Sequence, residues 1–244
     1  MDKILIVTGG GRGIGAAVSI RAAEEGWDVC IGYRVREEDA LVIEDSVKKI
    51  GRNAITVQVD VSRPEEVVRL FDNCISELGC PLGLVNSAGI LDPISRIDEI
   101  GNEDLLRHVS VNITGTMFCS GEAIKRMSWK HHGKGGVIVN LSSRASELGG
   151  AGASVHYGAC KAAVNAFTFG LAQEVAAEGI RVCAVSPGVI DTEIQPAGRI
   201  NAIAESLPMK RAGKPEEVAN AIVWLLSKEA SYVSGAVINV SGAR

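Results

Sequence analysis

Thr8-Gly9-Gly10-Gly11-Arg12-Gly13-Ile14-Gly15 follows a short apolar run, Lys3–Thr8, and opens a helix-like stretch, Ile14–Glu25. Glycines at such a turn let backbone N–H groups come close to a pyrophosphate. The N-terminus of the following helix adds unpaired donors and the positive end of a dipole. A glycine motif alone says little, but the strand–turn–helix context is the one this chemistry needs. The spacing, Gly9-x-x-x-Gly13-x-Gly15, is wider than the common G-x-G-x-x-G.

Outward from this turn the pattern alternates. Strand-like segments are read at Asp28–Tyr33, Asn53–Asp60, Leu82–Asn86, Gly136–Ser142, Ile180–Ser186 and Ala236–Val240. Helical spacing fills Glu37–Ile50, Asp98–Trp129 (interrupted near Asn112–Gly115), Val155–Glu178 and Pro215–Ser227. Another helix starts around Ser62-Arg63-Pro64-Glu65, with Ser62 as the expected cap and proline in the first turn. Seven strands separated by helices imply right-handed βαβ units. The expected fold is therefore α/β, a Rossmann-type doubly wound parallel sheet with helices on both faces. Cofactor and catalytic candidates interleave along the chain, so one domain spanning 1–244 is expected.

Composition narrows the function class. The 244 residues carry 25 basic and 29 acidic side chains, a net charge of −4, and no basic run exceeds two residues. A nucleic-acid or membrane-surface protein usually concentrates positive charge, so neither is expected. No apolar run is long enough to span a membrane, and the start lacks the pattern of a signal peptide. The six cysteines show no ligand spacing, which fits reduced thiols in the cytoplasm. His131-His132 have no carboxylate or cysteine at ligand spacing, so no metal site is expected. The 28 glycines are an excess, about 11% against about 7% in an average protein, and suggest tight turns or backbone close to a ligand.

The run Thr8-Gly9-x-x-x-Gly13-x-Gly15 matches every fixed position of the turn of short-chain dehydrogenases/reductases, and the chain resembles that family from Thr8 to Gly242. The resemblance implies that Thr8, Gly9, Gly11, Arg12, Gly13, Ile14 and Gly15 hold the cofactor pyrophosphate region. Asp60 and Val61 are implied at the adenine. Asn86-Ser87-Ala88-Gly89 resembles the family's Asn-Asn-Ala-Gly turn, so Asn86, Ala88 and Gly89 are implied beside the cofactor. Pro187, Gly188, Val189 and Thr192 are implied near the nicotinamide. The overall pattern is similar to 3-oxoacyl-carrier-protein reductases and to sugar or polyol dehydrogenases.

The end of the second strand bears on cofactor choice. An acidic residue there would bond the adenosine ribose and repel a 2′-phosphate. Tyr33 stands in that place, Arg34 follows, and Arg12 lies within the turn. Two guanidinium groups suit a phosphate, so NADP(H) is expected.

Tyr157 is the only one of three tyrosines with a lysine four residues on, Lys161, which puts both on one helix face. A phenol needs a nearby positive charge to move a proton near neutral pH. The family resemblance implies Tyr157 as general acid/base, with Lys161 lowering its pKa and holding the ribose. It also implies Ser143, with Ser142 as the alternative, at the substrate oxygen, and Asn112 in a proton relay. The Ser143–Tyr157 gap is about one residue longer than is common. His156 should point elsewhere on the helix. The expected reaction is hydride transfer between NADP(H) and a ketone or secondary alcohol, and a homotetramer is implied. The rival reading is a non-catalytic NADP(H)-binding sensor on the same fold. A serine hydrolase is disfavoured, since no Gly-x-Ser-x-Gly elbow surrounds Ser143.

Overall fold

The apolar run Ile4-Leu5-Ile6-Val7 is buried along its whole length, as a strand covered on both faces must be. In a computed structural model, which describes residues 3–151, 154–194, 198, 200 and 203–244, it forms the interior strand β1 (Lys3–Thr8). Successive side chains point to opposite faces, so the run splits between two layers. Leu5 and Val7 pack with Val29, Ile31, Val85, Val139 and Val185 under helices α1 (Gly13–Glu24), α2 (Glu37–Lys49) and α8 (Pro215–Leu226). Ile4 and Ile6 pack with Cys30, Leu84, Ile138 and Val182 under α3 (Pro64–Glu77), α5 (Gly115–Met127) and α7 (Val155–Val175).

The remaining strands are β2 (Trp27–Tyr33), β3 (Ala54–Gln58), β4 (Gly83–Asn86), β5 (Gly136–Leu141), β6 (Ile180–Pro187) and β7 (Val237–Val240). All pair in parallel in the order β3-β2-β1-β4-β5-β6-β7. This is the expected doubly wound sheet. The order reverses between β1 and β4, the switch point where such sheets open a crevice at their C-terminal ends. Register brings Thr8, Asn86 and Asn140 level on neighbouring strands there. Beneath the crevice, Asn86 donates to Asn140 (2.9 Å) and to Ser120 (3.1 Å), and Asn140 donates to Thr168 (2.9 Å).

Three local readings are refined. The long helical pattern divides into α4 (Asn102–Val109), a π-type turn over Ser110–Thr114, and α5. Hydroxyls bond back onto helix carbonyls in this stretch, Thr114 to Ser110 (2.7 Å) and Thr116 to Asn112 (3.2 Å), which favours a bend. The cap of α3 is corrected. Arg63 occupies the N-cap position before Pro64, while the Ser62 hydroxyl donates to Asp60 (2.6 Å). A short helix, α6 (Ala145–Leu148), lies in the Ser143–Tyr157 interval. All six cysteines are free, and five are buried. No helix among the described residues is long and apolar enough to cross a membrane.

Gly15 shows why the turn tolerates no side chain. A Cβ there would lie 2.2 Å from the Gly9 carbonyl oxygen, which is backbone and cannot yield cheaply. Gly121, on α5, has open space instead. Gly15→Ala should cost about 1–3 kcal/mol by overpacking. Gly121→Ala should gain about 0.5–1 kcal/mol, because alanine favours the helix. Urea unfolding midpoints check both; equal shifts would contradict the packing argument.

Candidate active site

The turn is built by close backbone contacts. Gly9 and Gly13 adopt left-handed φ values of 65° and 54°, which glycine accepts without strain. A Cβ on Gly9 would stand 3.0 Å from Ala88 Cα, and the Thr8 hydroxyl accepts from the Ala88 N–H at 3.2 Å. Thr8 and Gly9 therefore tie the first loop to the Asn86–Gly89 loop. The Arg12 side chain at the N-cap of α1 makes no capping bond, and the positive end of the helix dipole faces the turn.

Two adjoining cavities of about 260 Å³ each open at the strand ends. The first is walled by Gly9, Gly11, Arg12, Gly13, Ile14, Tyr33, Arg34, Asp60, Val61, Ala88, Gly89 and Thr192. The second is walled by Ser142, Ser143, Tyr157, Lys161, Pro187, Gly188 and Val189. Ile14, Gly89 and Thr192 border both. Four expected residues, Thr8, Gly15, Asn86 and Asn112, line neither. The first three shape the walls from behind. A long double cavity with a glycine cradle, a helix N-terminus and several guanidinium groups fits a dinucleotide.

The charges at the first cavity are partly paired. Arg34 lies 3.7 Å from Asp60. Asp60, two residues beyond the end of β3, also accepts from the Ser62 N–H (3.0 Å) and hydroxyl. Burial alone would raise its pKa, but the Ser62 bonds and the Arg34 and Arg63 charges outweigh it and hold Asp60 below the usual carboxylate range. Asp60 thus shapes the entry to α3 as well as lining the cavity. Arg12 turns instead to Glu193, as does Arg36. Neither Arg36 nor Glu193 was expected at the site. Arg36 stands two residues past Arg34 and was open to reading as a third basic group; nothing local marks Glu193.

At the second cavity the two serines separate. Ser142 is buried and donates to the Lys161 carbonyl (3.2 Å), whereas the Ser143 oxygen accepts from the Ala145 N–H (3.1 Å) and keeps its proton for another partner. Tyr157 and Lys161 lie one turn apart on α7, with the Lys161 Nζ 5.7 Å from the phenol ring centre. That ammonium donates to the Leu141 carbonyl at 2.7 Å. Burial lowers Lys161 to about 8, partly opposed by Cys160. Burial raises Tyr157 to about 12, with the Ser143 hydroxyl working against it. Burial and the Ser143 hydroxyl set the Tyr157 shift, while the Lys161 ammonium is engaged by Leu141.

Asn112 is fully buried in the π-type turn. Its Oδ1 accepts from the Ile90 N–H (3.1 Å) and its Nδ2 donates to the Ile90 carbonyl (3.0 Å), so it pins the segment after Gly89. His156 packs edge-on against His108 at 4.5 Å, away from both cavities, as its helix position suggested. The segment after β6 includes 195–197, 199, 201 and 202, which fall outside the described residues. Among the described residues no group of His, Cys, Asp and Glu is arranged to hold a metal ion.

Comparison with known proteins bears directly on this geometry. The family model described as enoyl-(acyl carrier protein) reductase matches residues 9–242. The chain is 43% identical over 246 residues to the uncharacterized oxidoreductase YgfF of Escherichia coli K12, covering 99% of each. It is 35% identical to glucose 1-dehydrogenase 2 of Bacillus subtilis, covering 98% of this chain and 93% of that one. A short-chain dehydrogenase from Burkholderia cenocepacia, solved in complex with NADP, superposes with a TM-score of 0.91 at 32% identity, over 98% of this chain and 96% of that one. With the glycine turn, the reversed strand order and the Tyr157–Lys161 pair at one crevice, these matches place the chain in the short-chain dehydrogenase/reductase family of oxidoreductases.

Proposed function

We propose that the protein is an NADP(H)-dependent oxidoreductase that interconverts a ketone and a secondary alcohol. The observation that carries this reading is the convergence of Ser143, Tyr157 and Lys161 on one cavity, beside a second walled by Arg12 and Arg34. The NADP complex of a relative supports the cofactor choice, as does the absence of a carboxylate at Tyr33. The nicotinamide supplies the hydride when bound.

The chain's own residues supply position and a proton. The Ser143 hydroxyl donates to the substrate carbonyl oxygen and fixes its direction. Tyr157 then gives its phenolic proton to that oxygen as it gains negative charge. A pKa near 12 keeps the phenol protonated at neutral pH, as a general acid requires. The reverse reaction needs the phenolate, which requires positive charge close to the ring. Lys161, already 5.7 Å from the ring centre, is the resident source, and its ammonium would also hold the cofactor ribose. Asn112 serves the proton relay by holding the Ile90 segment beside Lys161. The whole chain acts as one domain, in the cytoplasm. Exposed apolar side chains on α4, α5 and α7, including Leu106, Met117 and Phe169, support a homotetramer, and a monomer in light scattering would refute it.

Tyr157→Phe removes the proton donor and leaves the ring. Turnover of ketones, read from absorbance of the reduced nicotinamide, should fall at least about 100-fold, while NADPH binding stays within about twofold. Wild-type enzyme should use NADPH far more efficiently than NADH. Full activity in the variant would sink the catalytic assignment, and equal efficiency with both cofactors would sink the NADP(H) assignment.

A further inference from the structure

Arg12 and Arg36 are far apart in sequence and converge on a single oxygen. Glu193 Oε2 lies 2.7 Å from the Arg36 guanidinium and 3.5 Å from that of Arg12. Arg36 also meets Asp39 at 3.4 Å, while Arg34 faces Asp60 on the other side. All of these side chains line the first cavity. Two guanidinium groups around one oxygen is the arrangement that recognises a phosphate. Here the oxygen belongs to the protein itself. Glu193 follows Thr192 on the segment after β6, so the contact also ties that segment to the wall formed by the loop after β2.

We propose that Glu193 is a built-in competitor for the adenosine 2′-phosphate. Its carboxylate occupies an anion subsite made by Arg12 and Arg36. Binding of NADP(H) exchanges the carboxylate for the phosphate and frees Glu193 from Arg12 and Arg36. This rests on the NADP(H) reading above. The exchange is favourable because the pairs are weak and the newcomer is stronger. Arg12, Arg36 and Glu193 are each more than half exposed, so solvent screens their attraction. A phosphate brings about two charges against one, and three acceptor oxygens. NAD(H) carries no 2′-phosphate and so leaves the Glu193 contact intact. Glu193 thereby helps set cofactor specificity, and Arg36 becomes a third recognition residue beside Arg12 and Arg34.

Calorimetric titration with 2′,5′-ADP and with 5′-AMP separates the phosphate from the rest of the cofactor and needs no turnover. Wild-type protein should prefer 2′,5′-ADP. Glu193→Gln keeps the side-chain shape, and should tighten 2′,5′-ADP by about 3- to 5-fold while 5′-AMP stays within about twofold. Arg36→Gln should weaken 2′,5′-ADP, and in that background Glu193→Gln should gain less, because the two changes share one contact. Unchanged or weaker 2′,5′-ADP binding in Glu193→Gln, with wild-type preference intact, would overturn the competitor role and leave the cofactor assignment standing. Equal wild-type binding of the two ligands would overturn the cofactor assignment, and this inference with it.

Discussion

A buried ammonium held by one carbonyl organises the site. Lys161 is only 5% exposed, and its Nζ donates to the last residue of β5, Leu141, at 2.7 Å. A cation in that setting must be hydrogen-bonded, because unpaired burial would be costly. The bond joins α7 to the end of the sheet and so fixes where Tyr157, one turn earlier, meets the cavity. It also limits its neighbours. A Cβ on Gly89 would stand 3.5 Å from Nζ and 2.9 Å from the Asn112 oxygen. The Gly89 loop, the π-type turn and the α7 helix thus meet at one point that has no room for another side chain.

The two ends of the crevice handle charge differently. At the catalytic end, burial holds Lys161 down to about 8 and Tyr157 up to about 12. Both shifts disfavour the charged forms, yet Lys161 remains mostly an ammonium at neutral pH while the phenol keeps its proton. At the other end the arginines are solvent-exposed and already matched by Asp60 and Glu193. Binding an anionic dinucleotide therefore rearranges existing pairs there. Its oxidised ring would bring new charge to the catalytic end. Positive charge placed beside Tyr157 would favour its phenolate.

Legibility from sequence followed the range of the interactions. The strand–turn–helix at Thr8–Gly15 was readable because its constraints are local: a buried apolar run, then glycines, then a helix start. The bend near Asn112 was readable from its cluster of Asn, Thr and Gly. The Ser62 cap was misread because Asp60, two residues earlier, captures the hydroxyl that would have capped α3. The Tyr157–Lys161 spacing correctly put both on one face, but spacing cannot say that Leu141 would hold the ammonium. Arg36 and Glu193 were missed because their meeting depends on the sheet bringing the segment after β6 back over the loop after β2. Contacts made by topology leave no trace in a local pattern.

The ionisation of Tyr157 tests the proposed chemistry most directly. Ultraviolet difference titration of the wild-type protein against Tyr157→Phe isolates this phenol from Tyr33 and Tyr232. The pKa in the free enzyme should lie near 12 and should fall when NADP⁺ is bound, because added positive charge favours the phenolate. A phenol already ionising near neutral pH in the free enzyme, or one whose pKa does not move with NADP⁺, would contradict that chemistry.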